Sequence, residues 1–500
     1  MAGSISEFYK GKNVFITGGT GFIGRVLIEK LLRSCPDIGN IYVLIRRRKG
    51  VDIWDRVDEL VNLPVYEVLR DTFPENLKKI IPIEGDCMSL GLGLSDADYQ
   101  ILEDNVNIVF HVAASVRFDD PLRKATILNV RATREIMLLA KKIKNLEVLI
   151  HVSTMYCNCD KKVVEERFYP PPTDWRKFIE LVETSDNYTL DILEPKIIGR
   201  LPNTYLFTKA LAEHVVKDLA DNLPILIVRP SIVINTWYDP FPGWIDNWNG
   251  PIGITISGAK GVMRTIYIKN GGRTNLDCIP CDYAVRVICA AAWDKARSKE
   301  RGEPTIYNVT AFKNMYVKVK DIDQIGCAVT EENPLQRTLW VPRWTLTESK
   351  IYYIINVLIF QLFPAILLDK LLKWNGHRPI LVNIQRKLWL AVNALEHFTN
   401  NEWTFKHDRT IWLNKQLGPN DNAFNIEIFK KITSRENFEI SINGVRKYLL
   451  KETQSIEENR RQLNRLKFLE KVLRTAISIF GIWLLYRYDF FEYIISVKIQ

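Results

Sequence analysis

Tyr205 and Lys209 have the side chains and the spacing of an acid–base pair. They stand four residues apart in NTYLFTKALAE, so a helix there would place both on one face. A phenol, with a reference pKa of about 10, is a poor proton donor near neutral pH, and a nearby ammonium is expected to lower that pKa. A reacting carbonyl also needs a hydroxyl donor, which Ser153 and Thr154 would supply at the end of an apolar run. These four residues are the predicted catalytic set.

Residues 13–32, NVFITGGTGFIGRVLIEKLL, have the pattern of a dinucleotide-binding turn. An apolar run ends at Thr17, four glycines follow, and an amphipathic helix begins. The glycines allow a tight bend, let a pyrophosphate approach the backbone and let the helix pack closely on the strand. The helix start offers unpaired N–H groups to the phosphates. The predicted cofactor contacts here are Thr17, Gly18, Gly21, Phe22, Ile23 and Gly24.

The residues after the second apolar run indicate which dinucleotide binds. NAD-selective sites place an acidic residue about 20 positions after the glycine turn, where it binds the ribose 2′-hydroxyl. Here IYVLI is followed by RRRK, and the first carboxylate is Asp52. A guanidinium group suits a 2′-phosphate, so Arg46 and Arg47 favour NADPH as the cofactor.

Further cofactor contacts are predicted at the ends of the later runs. Asp86 closes the third run in EGD and is placed to meet the adenine. Ala113 and Ala114 follow the fourth run and are small enough to let the cofactor pass. Lys209 would reach the nicotinamide ribose hydroxyls, so Tyr205 and Lys209 also belong to the predicted cofactor site.

These residues need a parallel sheet to bring them together. Val/Ile-rich runs suit strands buried on both faces, and they occur at Asn13–Thr17, Ile41–Ile45, Lys79–Ile83, Ile108–Val112, Val148–Val152 and Ile225–Val228. Helical spacing follows at Arg25–Leu32, Ile127–Lys144 and Thr204–Asp221. The alternation predicts an α/β, Rossmann-type doubly wound parallel sheet.

Two segments interrupt this alternation. Tyr169–Pro202 is Pro-rich and acidic and is predicted to be an irregular insertion near the mouth of the active site. Trp237–Gly261 is rich in Trp, Gly, Asn and Pro and is predicted to be a loop on the substrate side. Together they would form a smaller substrate-side region.

The chain becomes helical and aromatic after about residue 335. Tyr352–Leu368 is strongly apolar, which fits a contact with a membrane and a buried core helix equally well. Arg460–Arg474 carries basic residues among leucines, as a helix on an anionic lipid surface does. The runs Ala476–Tyr486 and Phe490–Val497 are too short, and too close to charged residues, for a straight transmembrane helix centred on them.

The expected segments are a reductase domain at 8–335, a helical C-terminal domain at 350–450 and a hydrophobic membrane-associated tail at 459–500.

Composition limits the partners and the compartment. Eight scattered cysteines in 500 residues do not resemble a disulfide scaffold. C-x-C at Cys157 and C-x-x-C at Cys278 lack a second ligand pair, so no metal site is predicted. The net charge of +10 admits nucleic acid, anionic lipid or a phosphorylated ligand, and nucleic acid is the weakest candidate because no recognition motif accompanies the basic residues. A reducing compartment is the simpler account of these scattered cysteines, and the oligomeric state stays open.

The glycine turn with Thr154, Tyr205 and Lys209 resembles the extended short-chain dehydrogenase/reductase superfamily. Longer stretches are similar to one branch of it, the alcohol-forming fatty acyl-CoA reductases of eukaryotes. They are LIRRRKG, FHVAASVRFD, RPSIV, GWIDNWNGPIG, DCIPCDY, GHRP and FTNNEWTF. The resemblance runs from about residue 8 to residue 450. Cys281 departs from the aliphatic residue that is more usual in the family, which we expect to matter little.

The resemblance implies reduction of a long-chain fatty acyl-CoA to a primary alcohol with two NADPH, through an enzyme-held aldehyde. Tyr205 and Thr154 would stabilise the oxyanion, and Tyr205 would then protonate the alcohol. The family's Ser-Thr pair favours Thr154 over Ser153, and Pro230 of RPSIV is assigned to the cofactor. The expected location is the membrane of the endoplasmic reticulum or the peroxisome, with the catalytic domain facing the cytosol.

Two other functions remain open from the sequence. One is an NADP-dependent sterol or other lipid oxidoreductase of the same superfamily, which would not need the C-terminal motifs. The other is a catalytically inactive lipid-binding scaffold, for which the loss of Tyr205 or Lys209 would be typical. His111 and His151 lie in apolar runs and are predicted to be core residues rather than acid–base groups.

Overall fold

The computed structural model describes residues 3–298 and 301–487. Its main feature is a sheet of seven strands, all parallel. The strands are β1 (Val14–Thr17), β2 (Ile41–Ile45), β3 (Ile80–Glu84), β4 (Ile108–His111), β5 (Val148–Val152), β6 (Ile225–Pro230) and β7 (Thr305–Val309). Their order is β3-β2-β1-β4-β5-β6-β7. The predicted Rossmann-type fold is confirmed, with β7 as a strand that was not predicted.

The strand order reverses between β1 and β4, where the chain leaves the two strands in opposite directions. In open α/β sheets the ligand crevice lies outside the carboxyl ends of the strands at such a point. Thr17 and His111 end these two strands and are paired in register. The predicted glycine turn and the predicted Ala113–Ala114 pair therefore both lie at this crevice.

The described residues form two compact units that interleave along the sequence. Unit 1 contains residues 3–248, 273–298, 301–319 and 394–449, and unit 2 contains residues 249–272, 320–393 and 450–487. The expected segments 8–335, 350–450 and 459–500 are continuous and do not coincide with these units. The division of the chain into these three functional segments stays a prediction.

Helices cover both faces of the sheet in unit 1. They are Ile5–Tyr9, Phe22–Ser34, Ile53–Val61, Glu67–Thr72, Asp96–Asn105, Leu122–Thr126, Ala132–Ala140, Trp175–Thr184, Asn187–Ile198, Thr204–Leu219, Cys281–Ser298, Asp408–Lys415 and Ser434–Gly444. Phe22–Ser34 and Thr204–Leu219 are called the dinucleotide helix and the Tyr205 helix below. The predicted helix 127–144 differs: a π-helical turn, Ile127–Arg131, joins two α-helical pieces.

The prediction that residues 169–202 are irregular is wrong over most of that range. Two helices, Trp175–Thr184 and Asn187–Ile198, occupy it. The acidic residues that suggested an open loop are helix caps: Asp174 accepts from two backbone N–H groups and Asp186 accepts from one. Aspartate is preferred at these positions because it satisfies N–H groups that have no partner in the helix.

Unit 2 is mainly helical. Its helices are Pro251–Ala259, Lys350–Trp374 with an internal π-helical turn, Leu381–Thr399 up to residue 393, and Ile456–Arg487, and most of Val319–Glu332 also belongs to it. Helix Pro251–Ala259 corrects the expectation of a loop throughout Trp237–Gly261; a proline in its first turn pre-sets the helical backbone.

The apolar segments near the C-terminus are helical and exposed. Among the described residues one helix, Lys350–Trp374, is long and apolar enough to cross a membrane. We call it the apolar helix, and its exposure excludes the buried core helix that the sequence left open. Arg460–Arg474 and Ala476–Tyr486 are parts of one continuous helix, Ile456–Arg487, which we call the tail helix. Phe490–Val497 lies outside the described residues.

Candidate active site

The glycine turn has the backbone geometry of a phosphate cradle. Gly18 has a φ of +75°, and a Cβ there would lie 2.6 Å from the backbone nitrogen of Ala113. A Cβ on Gly24 would lie 2.2 Å from the carbonyl oxygen of Gly18. Side chains are therefore excluded at both positions, as the predicted cofactor turn requires. Gly21 precedes the dinucleotide helix without a side-chain cap, so the N–H groups of Phe22 and Ile23 have no side-chain cap at the start of this helix.

Thr17 and His111 join the ends of β1 and β4 behind this turn. The Thr17 Oγ1 and the His111 Nδ1 are 2.7 Å apart, and the other ring nitrogen lies 3.1 Å from the Thr133 Oγ1. Burial, with a smaller effect from Lys209, lowers the pKa of His111 to about 3. Burial also holds the pKa of His151 well below its ordinary value. Both histidines are thus neutral core residues, as predicted.

Arg46 and Arg47 extend from the end of β2 into solvent. Their side chains are 71% and 76% exposed. Arg46 faces Asp86 at 3.9 Å and Arg47 faces Glu84 at 3.6 Å, both beyond normal hydrogen-bond distance. Asp86 also accepts from the N–H of Met88 at 2.9 Å, which fixes its position at the end of β3. Both guanidinium groups remain accessible to an anion at the end of β2.

Asn203 caps the Tyr205 helix by accepting from the N–H of Leu206 at 3.0 Å. This cap places Tyr205 in the first turn and Lys209 one turn later. The Lys209 Nζ donates to the carbonyl oxygen of Val152 at 2.7 Å, at the end of β5. Burial lowers the pKa of Lys209 to about 8, and Glu213, the nearest carboxylate on the same helix, opposes that effect. The pair therefore lies at the carboxyl edge of the sheet.

The expectation that Lys209 lowers the pKa of Tyr205 is not met in this structure. Burial raises the pKa of Tyr205 above its ordinary value, Cys157 adds to the rise, and a hydrogen bond with the Thr154 side chain opposes it. Lys209 instead donates to the β5 backbone. Tyr205 is thus a neutral phenol and a weaker acid than tyrosine in water. In this state it suits a hydrogen-bond donor, and its proton can pass only to a much stronger base such as an alkoxide.

Ser153 and Thr154 point to different partners. The Thr154 Oγ1 lies 3.5 Å from the carbonyl oxygen of Pro230 and accepts from the N–H of Tyr156 at 3.4 Å. The Ser153 Oγ faces the Cys157 Sγ at 3.9 Å, on the side of a buried ion pair between Glu213 and Arg229. Thr154, not Ser153, shares its surroundings with Tyr205; the choice of Thr154 as the catalytic hydroxyl stays a prediction.

A polar link near the site was not foreseen from the sequence. Asn129, in the π-helical turn, donates to the Thr208 Oγ1 at 3.0 Å and to the carbonyl oxygen of Ser115 at 3.2 Å. Its Oδ1 accepts from the N–H of Ser115 at 2.9 Å. Asn129 therefore ties the loop after β4 to the Tyr205 helix. The sequence did not predict this link, because an unbroken α-helix was expected over residues 127–144.

Aromatic rings from the loop after β4 and from the C-terminal part cover Tyr205. Phe118 stacks on Tyr205 with ring centroids 5.8 Å apart, and Phe398 stacks on Phe118 at 5.5 Å. Tyr156, beside Thr154, meets Phe398 edge-on at 5.1 Å and Trp403 at 5.3 Å. We call Phe118 and Phe398 the ring column. The sequence pointed to Phe398 and Trp403 only through the resemblance of FTNNEWTF to a family motif; their spacing alone did not predict these ring contacts.

The described residues offer no group of three or more histidine, cysteine or carboxylate side chains arranged to hold a metal ion. All eight cysteines are free thiols. The Cys157 thiol donates a hydrogen bond to the Glu213 carboxylate at 3.3 Å, so this cysteine of the C-x-C pair has a structural role.

Known proteins resemble this chain in sequence and in fold. Two family profiles, both described as Male sterility protein, match the chain: an NAD-binding profile at residues 16–288 and the Sterile profile at residues 360–452. Fatty acyl-CoA reductase 1 of Mus musculus is 39% identical over 96% of this chain and 93% of its own length. The Xenopus laevis protein of that name is 40% identical, and fatty acyl-CoA reductase wat of Drosophila melanogaster is 38% identical.

Solved structures show the same fold at low identity. The reductase domain of a nonribosomal peptide synthetase from Mycobacterium tuberculosis matches 89% of this chain and 93% of that chain, with a TM-score of 0.60 and 17% identity. The terminal R domain of the myxalamid biosynthetic pathway matches 88% and 91%, with a TM-score of 0.56 and 16% identity. The NAD-binding profile supports a nicotinamide cofactor at the glycine turn. Given its near-full-length identity to these reductases, the chain belongs to the fatty acyl-CoA reductase family of oxidoreductases.

Proposed function

We propose that this protein reduces a long-chain fatty acyl-CoA to a primary alcohol through an aldehyde that stays in the site. In the balanced reaction an acyl thioester, two NADPH and two protons give the alcohol, free coenzyme A and two NADP⁺. The observation that carries the proposal is the donor pair Tyr205 with Thr154, in the same sheet-containing unit as a glycine turn whose close backbone approach excludes side chains at Gly18 and Gly24.

The chain's own residues supply binding, orientation and protons. When bound, the nicotinamide supplies hydride to the carbonyl carbon in each of the two reductions. Tyr205 and Thr154 donate to the carbonyl oxygen, where negative charge develops. Coenzyme A leaves readily because its thiol has a pKa of about 8.5. Tyr205 then transfers its proton to the alkoxide of the second reduction, as a phenol kept neutral by burial can do.

NADPH is the proposed cofactor because two accessible guanidinium groups end β2. Arg46 and Arg47 have no close ion-pair partner within hydrogen-bond distance, so a 2′-phosphate would gain charge-assisted hydrogen bonds there. Lys209 would hold the nicotinamide ribose, and Asp86, Ala113, Ala114 and Pro230 are proposed to complete the site.

We also propose that the protein is held at a membrane, on the cytosolic side of the endoplasmic reticulum or the peroxisome. The first half of the tail helix carries basic residues and its second half exposes apolar ones, including Ile477, Phe480 and Trp483. That combination suits anionic headgroups next to hydrocarbon. Removal of residues 459–500 is expected to weaken carbonate-resistant membrane binding while NADPH binding is kept.

The test of the reaction is oxidation of NADPH by the purified protein on addition of palmitoyl-CoA or stearoyl-CoA, with the free thiol measured alongside. The alternative lipid oxidoreductase would oxidise NADPH with a steroid ketone and release no thiol. The inactive scaffold would bind NADPH and oxidise none. Thiol release that depends on NADPH supports the acyl-CoA reaction and excludes both alternatives.

A further inference from the structure

Glu213 is a buried carboxylate that joins three elements of unit 1. It lies on the Tyr205 helix, one turn after Lys209, and its side chain is only 4% exposed. Its Oε1 accepts from the Nε of Arg229 at 2.8 Å, and its Oε2 accepts from the Nη2 of the same guanidinium at 2.6 Å. The thiol of Cys157 donates to the Oε1 at 3.3 Å. Glu213 therefore links the Tyr205 helix to β6 and to the short 3₁₀ turn Met155–Asn158.

Each of these three elements carries or adjoins a residue of the proposed site. The helix carries Lys209. Arg229 is followed on β6 by Pro230, whose carbonyl oxygen lies 3.5 Å from the Thr154 Oγ1. Thr154 caps the 3₁₀ turn, at whose centre the Cys157 thiol reaches back to Glu213. One carboxylate thus acts on Lys209, Pro230 and Thr154 through the groups that hold them.

The ion pair between Glu213 and Arg229 is fully enclosed and fully hydrogen-bonded. The Arg229 side chain is 0% exposed, and its guanidinium also donates to the carbonyl oxygens of Glu165 at 3.1 Å and Arg167 at 3.2 Å. A buried ion pair persists when its geometry is good and its remaining donors are satisfied. Arg229 outweighs burial and holds the pKa of Glu213 below its ordinary value. The carboxylate therefore stays charged throughout the neutral and alkaline range.

Glu213 is also the charge that acts most strongly on Lys209. Burial lowers the pKa of Lys209 to about 8, and Glu213 is the largest influence that opposes this effect. The titratable groups that face Lys209 from β4, from β5, from the turn after β5 and from its own helix are His111, His151, Cys157, Tyr205 and Glu213. Burial keeps both histidines, the thiol and the phenol uncharged near pH 8. The carboxylate, with its partner Arg229 behind it on β6, is the charged group among them.

We propose that Glu213 is a positioning residue for the reduction: held by Arg229, its carboxylate keeps Lys209 charged for the cofactor ribose and holds the turn that carries Thr154 against β6. Glu213 itself takes neither proton nor hydride in the reaction. The inference rests on the proposed function, because Lys209 and Thr154 take their roles from it. Its tests therefore include NADPH binding in the absence of any acyl-CoA.

The first test separates the charge of Glu213 from its shape. Glu213→Gln keeps the size of the side chain and loses the charge. NADPH affinity without acyl-CoA, and kcat/KM for palmitoyl-CoA, are each followed as the pH rises from neutral to alkaline. In the wild type both should fall through about pH 8. In the variant the midpoint should lie about one unit lower, because an ammonium that loses a nearby opposite charge has a lower pKa. A folded variant with the wild-type midpoint overturns the proposal.

A second variant decides the matter if Glu213→Gln does not fold, since that change leaves Arg229 buried without a counter-charge. Glu213→Gln with Arg229→Met removes both charges and should shift the midpoint in the same direction; an unchanged midpoint overturns the proposal. The matched control is Lys30→Met, which removes one member of another buried ion pair, with Asp239, on different elements. Its midpoint should be that of the wild type. An equal shift in the control would show general loosening and would also overturn the proposal.

Arg229→Lys tests the positioning of Thr154 with the charges kept. A lysine cannot make the two parallel hydrogen bonds of a guanidinium, so kcat should fall about tenfold through displacement of the turn, while the alkaline midpoint stays near that of the wild type. In a Thr154→Ala background the same change should cause little further loss, because both changes act on one group. A full further loss there, or an unchanged kcat, overturns this role. If the wild type binds NADPH with the expected pH dependence but releases no thiol from palmitoyl-CoA, the proposed reaction fails, and the NADPH midpoints alone decide the role of Glu213.

Discussion

Burial keeps the phenol of Tyr205 neutral, because an ionised side chain there would lose its hydration. Lys209 is also buried, but it keeps its charge up to about pH 8 because Glu213 lies on the same helix face one turn away. The two residues therefore have separate tasks in the proposed mechanism. Tyr205 supplies a proton, and Lys209 supplies a positive charge and donors for the cofactor ribose.

Replacement of Tyr205 by Phe removes the proton donor and leaves the rest of the site in place. The turnover number should fall to below about a tenth of the wild-type value, since general acids typically contribute at least a hundredfold. NADPH affinity should change little. Thr154→Ala should lower turnover more than Ser153→Ala, because only Thr154 shares the surroundings of Tyr205. A Tyr205→Phe protein that keeps most of its turnover would remove Tyr205 from the mechanism.

The pH dependence of turnover should reflect Lys209. Its pKa is lowered to about 8, so the ammonium is present below that pH and is lost as the pH rises through it. Because the charged form is the one required, kcat/KM is expected to fall above about pH 8. Lys209→Arg should be slower but should not show this alkaline fall, since a guanidinium stays charged beyond pH 12. A wild-type profile that is flat to pH 10 would contradict the assignment.

At the scale of elements, the end of β2 and the start of the dinucleotide helix are the proposed holders of the cofactor. Arg46→Gln with Arg47→Gln should lower the preference for NADPH over NADH by more than about tenfold, because charge-assisted hydrogen bonds contribute about 1.5–3 kcal/mol each. The measurement is the ratio of kcat/KM for the two cofactors. Arg48→Gln is the matched control, since Arg48 belongs to the same basic run but faces Glu59 at 3.5 Å. Equal use of NADH by the wild type would contradict this prediction.

The ring column joins helix Leu381–Thr399 to the Tyr205 helix. Phe398→Ala should lower kcat/KM for palmitoyl-CoA about tenfold while NADPH affinity stays within about twofold, because Phe118 loses the ring that holds it against Tyr205. Phe398→Leu keeps much of the apolar volume, so its kcat/KM for palmitoyl-CoA should lie between the values of the wild type and of Phe398→Ala. Assays are run well below the unfolding temperature, since a buried Phe→Ala change costs about 3–5 kcal/mol of stability. Parallel loss of NADPH binding would show general unfolding instead.

The elements differ in how well their sequence predicts them. Six of the seven main strands were predicted to within about two residues at each end, because a strand buried on both faces is a continuous apolar run. β7, Thr305–Val309, was missed, since its alternation of apolar and polar residues is short. The helices at residues 175–198 were missed because their caps are acidic and their faces are half polar. Phe118 and Asn129 were missed because stacking and side-chain bridges join residues far apart in the chain.

At the scale of the whole molecule, residues 394–449 belong to the same compact unit as the sheet, although they follow an intervening segment of unit 2. Changes of composition along a sequence show where one kind of segment gives way to another. They do not show which segments pack together, so continuous ranges were the natural prediction. The consequence for function is that the family's C-terminal motif FTNNEWTF contributes Phe398 and Trp403 to the surroundings of the proposed catalytic residues.

The central claim is that one site carries out both reductions, and the ratio of NADPH oxidised to thiol released tests it most directly. Purified protein is mixed with limiting palmitoyl-CoA and excess NADPH, and both quantities are followed to completion. The account predicts two NADPH oxidised for each coenzyme A thiol released, with hexadecanol as the product. A ratio of one with hexadecanal accumulating, or NADPH oxidation without thiol release, would contradict it.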